Sequence, residues 1–262
     1  MKKLNLLNKY LKYYLKADSR FGIHSPFVYD FVTKVLNDRE SHDAYQQIKA
    51  FRQAMQHSNE LVGGADFGAG SSIAKSARQR KVAEIAKNTG HAFKYQKLLY
   101  RIVKFYKPRR ILELGTSLGG SSLIFSLANP SADIMTIEGN PAIARIARKN
   151  LELFGLSNVQ VHEGTFEEVL PGLLTRQKEI DFVFFDGHHQ KAPTLKYFKM
   201  CLQKINNNSI FLFDDINWSE GMQQAWTEIK ADPAVSVSMD LFMMGLVFFR
   251  KESTKQDFVI RY

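Results

Sequence analysis

The stretch ILELGTSLGGSS, at residues 111–122, decides the fold. Its first four residues are a short apolar run around Glu113, which predicts a buried strand. Gly115 and Gly119 follow, and glycine lets a backbone turn tightly and approach a ligand without interference from a Cβ atom. A helix is expected to begin at Gly120 or Ser121. A strand, a glycine turn and a helix in this order predict a ligand-binding turn at the carboxyl end of a parallel strand.

The rest of the second half alternates between predicted strands and predicted helices. Pro141 at a helix start and Gly155 behind the same helix mark one of these helices. The alternation predicts an α/β fold with a doubly wound, mostly parallel sheet. Met244-Gly245 indicates a closing hairpin, which would make one edge strand antiparallel. Seven strands are predicted, at residues 109–115, 133–139, 159–164, 180–187, 209–216, 235–243 and 245–251.

Glu138, at the end of the second predicted strand, indicates what the turn binds. A carboxylate in that place can accept hydrogen bonds from two hydroxyls of an adenosine ribose, so an adenosine-containing cofactor is expected. The alternative is that Glu138 only caps the helix that begins at Pro141. A second glycine motif, DFGAG at residues 66–70, has no apolar strand before it and is therefore interpreted as a loop beside the site.

Three aspartates are expected at the carboxyl ends of neighbouring central strands, namely Asp186, Asp214 and Asp215. Crowded carboxylates repel one another unless a cation is present, and hard oxygen ligands favour Mg²⁺, Ca²⁺ or Mn²⁺. Such an ion could lower the pKa of an acceptor hydroxyl while His189 or His188 takes the proton. The alternative is that Asp214 or Asp215 caps the following helix and that the histidines are ordinary loop residues.

Composition excludes several classes of protein. The chain has 262 residues, of which 45% are hydrophobic and 24% charged, so wholesale disorder is excluded. The single cysteine, Cys201, excludes an intrachain disulfide and a cysteine-cluster zinc site. The longest apolar stretch, residues 241–249, is too short to span a bilayer. The first residues show no secretory pattern, so the cytoplasm is the expected compartment.

Charge is concentrated in the first part of the chain. Residues 1–110 hold 22 Lys+Arg and 8 Asp+Glu, a balance of +14, while the remainder holds 14 and 18, a balance of −4. A positive surface attracts phosphate, nucleic acid or anionic lipid, although a solvated helical face is the plainer interpretation. Leu4, Leu7, Leu11 and Leu15 recur at helical spacing against a lysine face. That helix could lie on a membrane, or it could pack on its own domain or on a second subunit in a homodimer.

The motif E-x-G-x-x-x-G at residues 113–119, with Glu138 closing the next strand, resembles class I S-adenosylmethionine-dependent methyltransferases. Ser117 stands where the nicotinamide-binding motif G-x-G-x-x-G has its second glycine. More narrowly, KLLYRIVKFYKPRRILELGTSLGGSSL at residues 97–123 resembles the catechol O-methyltransferase-like group, and this resemblance extends from residue 94 to about 250. It implies a Rossmann-like methyltransferase domain at 93–252, a helical and basic extension or cap at 1–92, and a C-terminal tail at 253–262.

The resemblance also implies residue roles. The expected cofactor-binding residues are Glu113, Gly115, Thr116, Ser117, Gly119, Glu138, Gly164, Thr165, Phe166 and Asp186. In that group a lysine three positions after the aspartate deprotonates the acceptor, and an Asp-Asn pair on the fifth strand completes a magnesium site. Here His189 takes the place of the lysine, and Asp214 and Asp215 take the place of the pair, so Mg²⁺ is expected on Asp186, Asp214 and Asp215.

These observations predict an S-adenosylmethionine-dependent methyltransferase that acts on an oxygen of a small-molecule acceptor. One alternative is an RNA methyltransferase that uses the basic N-terminal part. The chain has no recognisable RNA-binding module and no N-P-P-[YF] tetrapeptide after the fourth strand, which disfavours that alternative. The other alternative is a cofactor-binding module without catalysis.

Overall fold

The computed structural model describes residues 2–18, 22–63 and 79–262. The glycine motif at residues 66–70 lies outside these ranges. A short π-helix at Val32–Leu36 directly follows the helix at Pro26–Phe31. The α-helices are α1 (Lys2–Lys16), α2 (Pro26–Phe31), α3 (Ala44–His57), α4 (Val82–Thr89), α5 (Phe93–Tyr106), α6 (Gly120–Ala128), α7 (Pro141–Leu153), α8 (Phe166–Arg176), α9 (Lys191–Leu202) and α10 (Glu220–Ala231). The strands are β1 (Leu61–Val62), β2 (Arg80–Lys81), β3 (Arg110–Leu114), β4 (Asp133–Glu138), β5 (Val159–Glu163), β6 (Phe182–Phe185), β7 (Ile210–Phe213), β8 (Val237–Asp240), β9 (Gly245–Phe248) and β10 (Gln256–Val259).

The fold is α/β, with a mostly parallel sheet of eight strands and a separate β1–β2 pair among the described residues. This confirms the predicted Rossmann-like class. The chain divides into two compact units. We call Lys34–Leu173 the central unit, and Met1–Thr33 together with Leu174–Tyr262 the terminal unit.

The central unit contains the parallel strands β3, β4 and β5, in that spatial order. The register pairs Leu114 with Ile137 and Glu138 with Glu163, so the carboxyl ends of the three strands lie side by side. An apolar cluster joins α7 and the glycine turn to the segment before α5. Its buried members are Val62, Val82, Ile85, Leu118, Ile143 and Ile146. Part of the segment that sequence analysis assigns to the extension therefore packs on the turn that follows β3.

The terminal unit contains five strands in the order β10, β8, β9, β7, β6. β6 and β7 are parallel, whereas β9 is antiparallel to both β7 and β8. The antiparallel strand expected at an edge therefore lies between two others. The eighth strand, β10, was not predicted, and it occupies residues that sequence analysis treats as a tail. This strand is short, half-exposed and polar at its start, so its sequence shows no apolar alternation. It is held in the sheet by backbone pairing with β8, and the Gln256 amide donates to the Ser236 carbonyl at 2.8 Å.

The N-terminal helix α1 belongs to the terminal unit and packs there by one face. Tyr13 and Ala17 are buried with Phe242 in a small apolar cluster. The Asp18 amide donates to the Val259 carbonyl at 2.8 Å, which ties the end of α1 to β10. Among the described residues, none of the helices combines the length and the apolar composition that a membrane span requires.

Candidate active site

The predicted glycine turn follows β3, and three of its residues have a left-handed backbone conformation. Gly115, Ser117 and Gly119 have φ values of 112°, 47° and 89°. The amides of Gly115 and Thr116 both donate to the Ile137 carbonyl, at 3.1 and 3.2 Å, which fixes the start of the turn against β4. Ser117 is not a glycine, and a left-handed residue of this kind is uncommon outside sites where the surrounding structure enforces it.

Gly119 is favoured by its backbone angle, a φ of 89° that side chains rarely adopt. A Cβ atom built on it would lie 3.4 Å from Leu151 Cγ and 3.7 Å from the Ala147 carbonyl oxygen, both on α7. These are ordinary van der Waals distances, so a side chain at this position would strain the turn through its backbone angle and not through a clash with α7. The glycine allows α6 to begin immediately, at Gly120, as the sequence predicts.

Glu138 holds the turn from the end of β4. Its Oε2 accepts from the Ser117 amide and its Oε1 accepts from the Asn140 amide, each at 2.9 Å. A carboxylate has about four lone-pair positions, so both oxygens retain acceptor capacity for ribose hydroxyls. The helix α7 is capped by Asn140 instead, because Asn140 Oδ1 accepts from the amides of Ala142 and Ile143 at 2.9 and 3.2 Å.

Asn140 is a site residue that sequence analysis missed. Asparagine directly before a proline at the first helical position is a recognised start signal, and that signal would have found it. It also means that capping is not the role of Glu138, so the alternative interpretation of Glu138 is wrong.

Two predicted cofactor residues lie beneath the turn. Glu113 is fully buried and accepts a hydrogen bond from the Ser122 hydroxyl of α6. Thr116 is also buried, and its hydroxyl is 2.6 Å from that of Thr136 on β4. These side chains fix β3 to α6 and β4, so their observed contacts support the turn from inside the core.

Gly164 lies beside Glu138, as expected for a residue after the neighbouring strand. Its amide donates to the Glu138 carbonyl at 3.0 Å. Its φ is 139°, and a Cβ atom there would come within 2.7 Å of Val169 Cγ2 on α8. Glycine has no Cβ atom and therefore leaves room for Val169 where the chain passes from β5 into α8.

Thr165 and Glu168 form a capping box at the start of α8. The amide and the hydroxyl of Thr165 donate to Glu168 Oε2 at 2.9 and 2.8 Å, and the Glu168 amide donates to the Thr165 hydroxyl at 3.3 Å. These hydrogen bonds from Thr165 lower the pKa of the exposed Glu168 carboxyl. Phe166 is the first residue of α8 and is buried. The predicted adenine-contacting segment is thus the hydrogen-bonded start of α8.

In the terminal unit, the predicted aspartates do converge. The strand register pairs Phe185 with Phe213, and the Asp214 amide donates to the Phe185 carbonyl at 3.0 Å. Asp186 and Asp214 therefore follow their strands at equivalent positions. Their carboxylates approach within 4.8 Å of each other, and Asp214 is only 5% exposed.

His189 joins this group. Its Nε2 lies 3.6 Å from Asp186 Oδ1. One of its ring nitrogens and one carboxylate oxygen each of Asp214 and Asp215 lie within 4.8 Å of one another. We call Asp186, His189, Asp214 and Asp215 the aspartate–histidine cluster.

Among the described residues, His189 and not His188 is grouped with the aspartates. The His188 backbone is left-handed, with φ 64°, and its ring meets Tyr197 of α9 edge-on with 5.9 Å between centroids. Asp215 is also left-handed, with φ 53°. Ser219 caps α10 by accepting from the Met222 amide at 3.1 Å, so the alternative that Asp214 or Asp215 caps that helix is wrong.

The cluster has the chemistry of a divalent-cation site. Three carboxylates offer hard oxygen ligands, and an imidazole adds a nitrogen ligand that suits first-row transition ions. Aspartates brought this close together are stabilised as anions by a cation among them. The residues present therefore fit a bound divalent ion.

The turn, Glu138, Asp186 and the pair Asp214-Asp215 all fall within a segment that matches a known family. Residues 112–216 match a family profile described as a methyltransferase domain. The chain carries a methyltransferase domain. The predicted resemblance to class I methyltransferases of the catechol O-methyltransferase-like group is confirmed by the relatives of this domain.

Two relatives of the methyltransferase domain are catechol O-methyltransferases. That of Niastella koreensis is 30% identical over 123 residues, covering 46% of this chain and 55% of that protein. That of Mycobacterium tuberculosis is 30% identical over 152 residues, covering 57% of this chain and 66% of that protein. The chain thus spans between half and two thirds of the length of these relatives.

Solved structures show the same fold. The O-methyltransferase from Bacillus cereus in complex with SAH has a TM-score of 0.58 and 20% identity, covering 85% of this chain and 97% of that chain. At this identity the likeness concerns the fold of the methyltransferase domain.

Proposed function

We propose that this chain transfers the methyl group of S-adenosylmethionine to an oxygen of a small-molecule acceptor. The observation that carries the proposal is the Glu138 carboxylate, which lies at the end of β4 and accepts the Ser117 and Asn140 amides beside a left-handed glycine turn. The similarity to catechol O-methyltransferases supports oxygen as the acceptor atom.

The central unit supplies the groups that would bind S-adenosylmethionine. Glu138 would hold the two ribose hydroxyls with its remaining lone pairs, and the backbone from Gly115 to Gly119 would line the methionine half. Gly164, Thr165 and Phe166 would contact the adenine from the start of α8. When bound, the cofactor supplies an electrophilic methyl group on a sulfonium.

The terminal unit supplies the groups that would hold a divalent cation, namely Asp186, His189, Asp214 and Asp215. When bound, such a cation lowers the pKa of an acceptor hydroxyl. The carboxylates suit Mg²⁺ and Mn²⁺, and the imidazole shifts the preference towards Mn²⁺. The contact of Asp186 with the cofactor remains a prediction.

The ribose role of Glu138 is tested by calorimetric titration of S-adenosylhomocysteine. Glu138→Ala should weaken binding tenfold or more, because charge-assisted hydrogen bonds contribute about 1.5–3 kcal/mol each. Glu163→Ala is the matched control, since Glu163 is the register partner of Glu138 on β5, and it should bind normally. Unchanged affinity in folded Glu138→Ala would contradict the cofactor assignment.

The cation role is tested with a panel of catechol and other hydroxyl acceptors. A chelator should abolish transfer, and Mg²⁺ or Mn²⁺ should restore it. Asp215→Ala should lose transfer but keep its affinity for S-adenosylhomocysteine. Full activity in chelator, together with a normal rate for Asp215→Ala, would show that the aspartates are structural. Cofactor binding without turnover on any acceptor would favour the non-catalytic alternative.

His189 has two possible roles, which metal binding separates. If His189 is a ligand, His189→Asn should weaken Mn²⁺ binding measured by calorimetry. If it is the general base, Mn²⁺ binding should persist while transfer falls roughly 10²–10⁴-fold. His188→Asn is the control, because asparagine tolerates the left-handed backbone of His188 and its ring packs on Tyr197. Equal losses in both variants would mean that the loop, and not His189, is responsible.

A further inference from the structure

Helix α1 packs on the terminal unit by the face that carries Tyr10, Tyr13 and Ala17. Tyr13 and Ala17 are each 7% exposed and pack on Phe242, and the ring of Tyr10 meets that of Phe242 edge-on at 5.0 Å. The Tyr13 hydroxyl also donates to the Ile260 carbonyl. None of these contacts involves Leu7, Leu11 or Leu15.

Three described leucines of α1 form an exposed stripe instead. Leu7, Leu11 and Leu15 are 52%, 51% and 84% exposed. They are spaced four residues apart, so they lie one above another on the helix surface. Tyr14, which is 41% exposed, borders the stripe. A run of leucines turned away from the protein's own core indicates a surface for interaction.

The charges on α1 are of one sign. Its sequence has five lysines and no acidic residue. Lys12 and Lys16 are exposed, and Lys12 stands three positions before Leu15, so it is a neighbour of the stripe. On the Tyr14 side, the Arg261 guanidinium lies 3.9 Å from the ring centroid and donates to the Tyr14 carbonyl at 3.1 Å. Cations thus flank the exposed leucines.

We propose that α1 is an interfacial helix that docks this protein on an anionic lipid surface. The leucine stripe would enter the boundary between headgroups and acyl chains, while the flanking lysines and Arg261 would face lipid phosphates. Tyrosine at the border suits the same boundary. The inference does not depend on the methyltransferase assignment.

Charge argues for lipid over the two other occupants. Two copies of α1 facing each other across a two-fold axis would bring lysines of the same sign together. A nucleic acid would satisfy the lysines but would leave the leucine stripe in water. An anionic bilayer satisfies both the apolar stripe and the cations.

The experiment is sedimentation of the full chain with vesicles of phosphatidylcholine alone and of phosphatidylcholine mixed with phosphatidylserine. The wild type should bind the mixed vesicles and should be released by salt. Lys12→Gln with Lys16→Gln should weaken binding about thirtyfold, since each lysine near an anionic surface is worth about fivefold. Leu7→Gln, Leu11→Gln and Leu15→Gln together should weaken it at least tenfold, because about half or more of each leucine is available for burial.

Matched controls lie elsewhere on the surface. Leu153→Gln removes a leucine that is 73% exposed at the end of α7, and Lys178→Gln with Lys251→Gln removes two exposed lysines. Both controls should bind as the wild type does. Circular dichroism checks folding, and glutamine keeps the helix propensity of α1.

Three results would overturn the proposal. The first is an absence of binding to the mixed vesicles, or equal binding to both vesicle types. The second is a wild-type dimer in sedimentation velocity that the triple glutamine variant dissociates, which would assign the stripe to a second copy. The third is tight binding to RNA that the leucine substitutions leave intact while vesicle binding is weak, which would assign the face to nucleic acid.

Discussion

The glycine turn should depend on the Glu138 carboxylate even when no cofactor is bound. Both of its oxygens accept a backbone amide at 2.9 Å, from Ser117 and from Asn140. Glu138→Gln keeps one acceptor oxygen, but the amide nitrogen that replaces the other oxygen cannot accept. One hydrogen bond should therefore lose its charge assistance, and the other should be lost.

The magnitude follows from those two changes. A hydrogen bond to a charged group contributes about 1.5–3 kcal/mol and a neutral one about 0.5–1.5 kcal/mol. The weakened bond should cost about 1 kcal/mol and the lost bond about 1.5–3 kcal/mol, so the free energy of unfolding should fall by roughly 2.5–4 kcal/mol. Urea denaturation of the cofactor-free protein, followed by circular dichroism, measures this change.

Glu163→Gln provides the control at the register-matched position of β5. Glu163 forms a half-exposed ion pair with Arg148 at 3.2 Å, and such surface pairs contribute about 0–1 kcal/mol. If Glu138→Gln and Glu163→Gln both unfold within about 0.5 kcal/mol of the wild type, the carboxylate does not hold the turn and the reasoning is refuted.

Three further outcomes are expected. Gly245→Ala should lower the melting temperature by the equivalent of about 1–3 kcal/mol, because its Cβ would lie 2.7 Å from the Trp226 ring; an unchanged melting temperature would contradict that packing. Burial raises the pKa of the Cys201 thiol, so a thiol reagent should label the unfolded chain but not the native protein. Burial also raises the pKa of Asp240 above 3.8, against a hydrogen bond from the Phe242 amide. The native state therefore favours the protonated Asp240 carboxyl, and the resulting contribution to the free energy of unfolding is full at low pH and is lost as the pH rises through the native pKa. The melting temperature of Asp240→Asn should therefore increase relative to that of the wild type as the pH rises from about 4 to 7.

The sequence predicted those parts of the fold that local patterns specify. Continuous apolar runs such as FVFF in β6 and IFLF in β7 identify strands buried on both faces, and the residues after them fall at the same edge of a parallel sheet. That geometry is why Asp186 and Asp214 could be expected together. Glycines behind apolar strands identified the turn for the same local reason.

Long-range pairing and side-chain orientation could not be predicted in this way. β10 carries the polar sequence QDFV and exists because β8 offers it a backbone edge. The hairpin was predicted, but the pattern did not show that β9 would pair with β7 as well as with β8. His188 and His189 are adjacent and chemically identical, so the sequence could not show which ring would meet Tyr197 and which would lie with the aspartates. In the structure the left-handed His188 contacts Tyr197, and His189 lies with Asp214 and Asp215.

Glu138 shows why a binding residue and a structural residue can be the same one. A partly buried carboxylate needs hydrogen-bond donors while its ligand is absent, since an unpaired charge in such a place is costly. The amides of Ser117 and Asn140 supply these donors before any ligand arrives. They also fix the carboxylate in one orientation, so a ribose would meet an acceptor that needs no further ordering. Loss of Glu138 should therefore reduce stability without ligand and affinity with it, and a variant that changed only one of the two would show that these roles are separate.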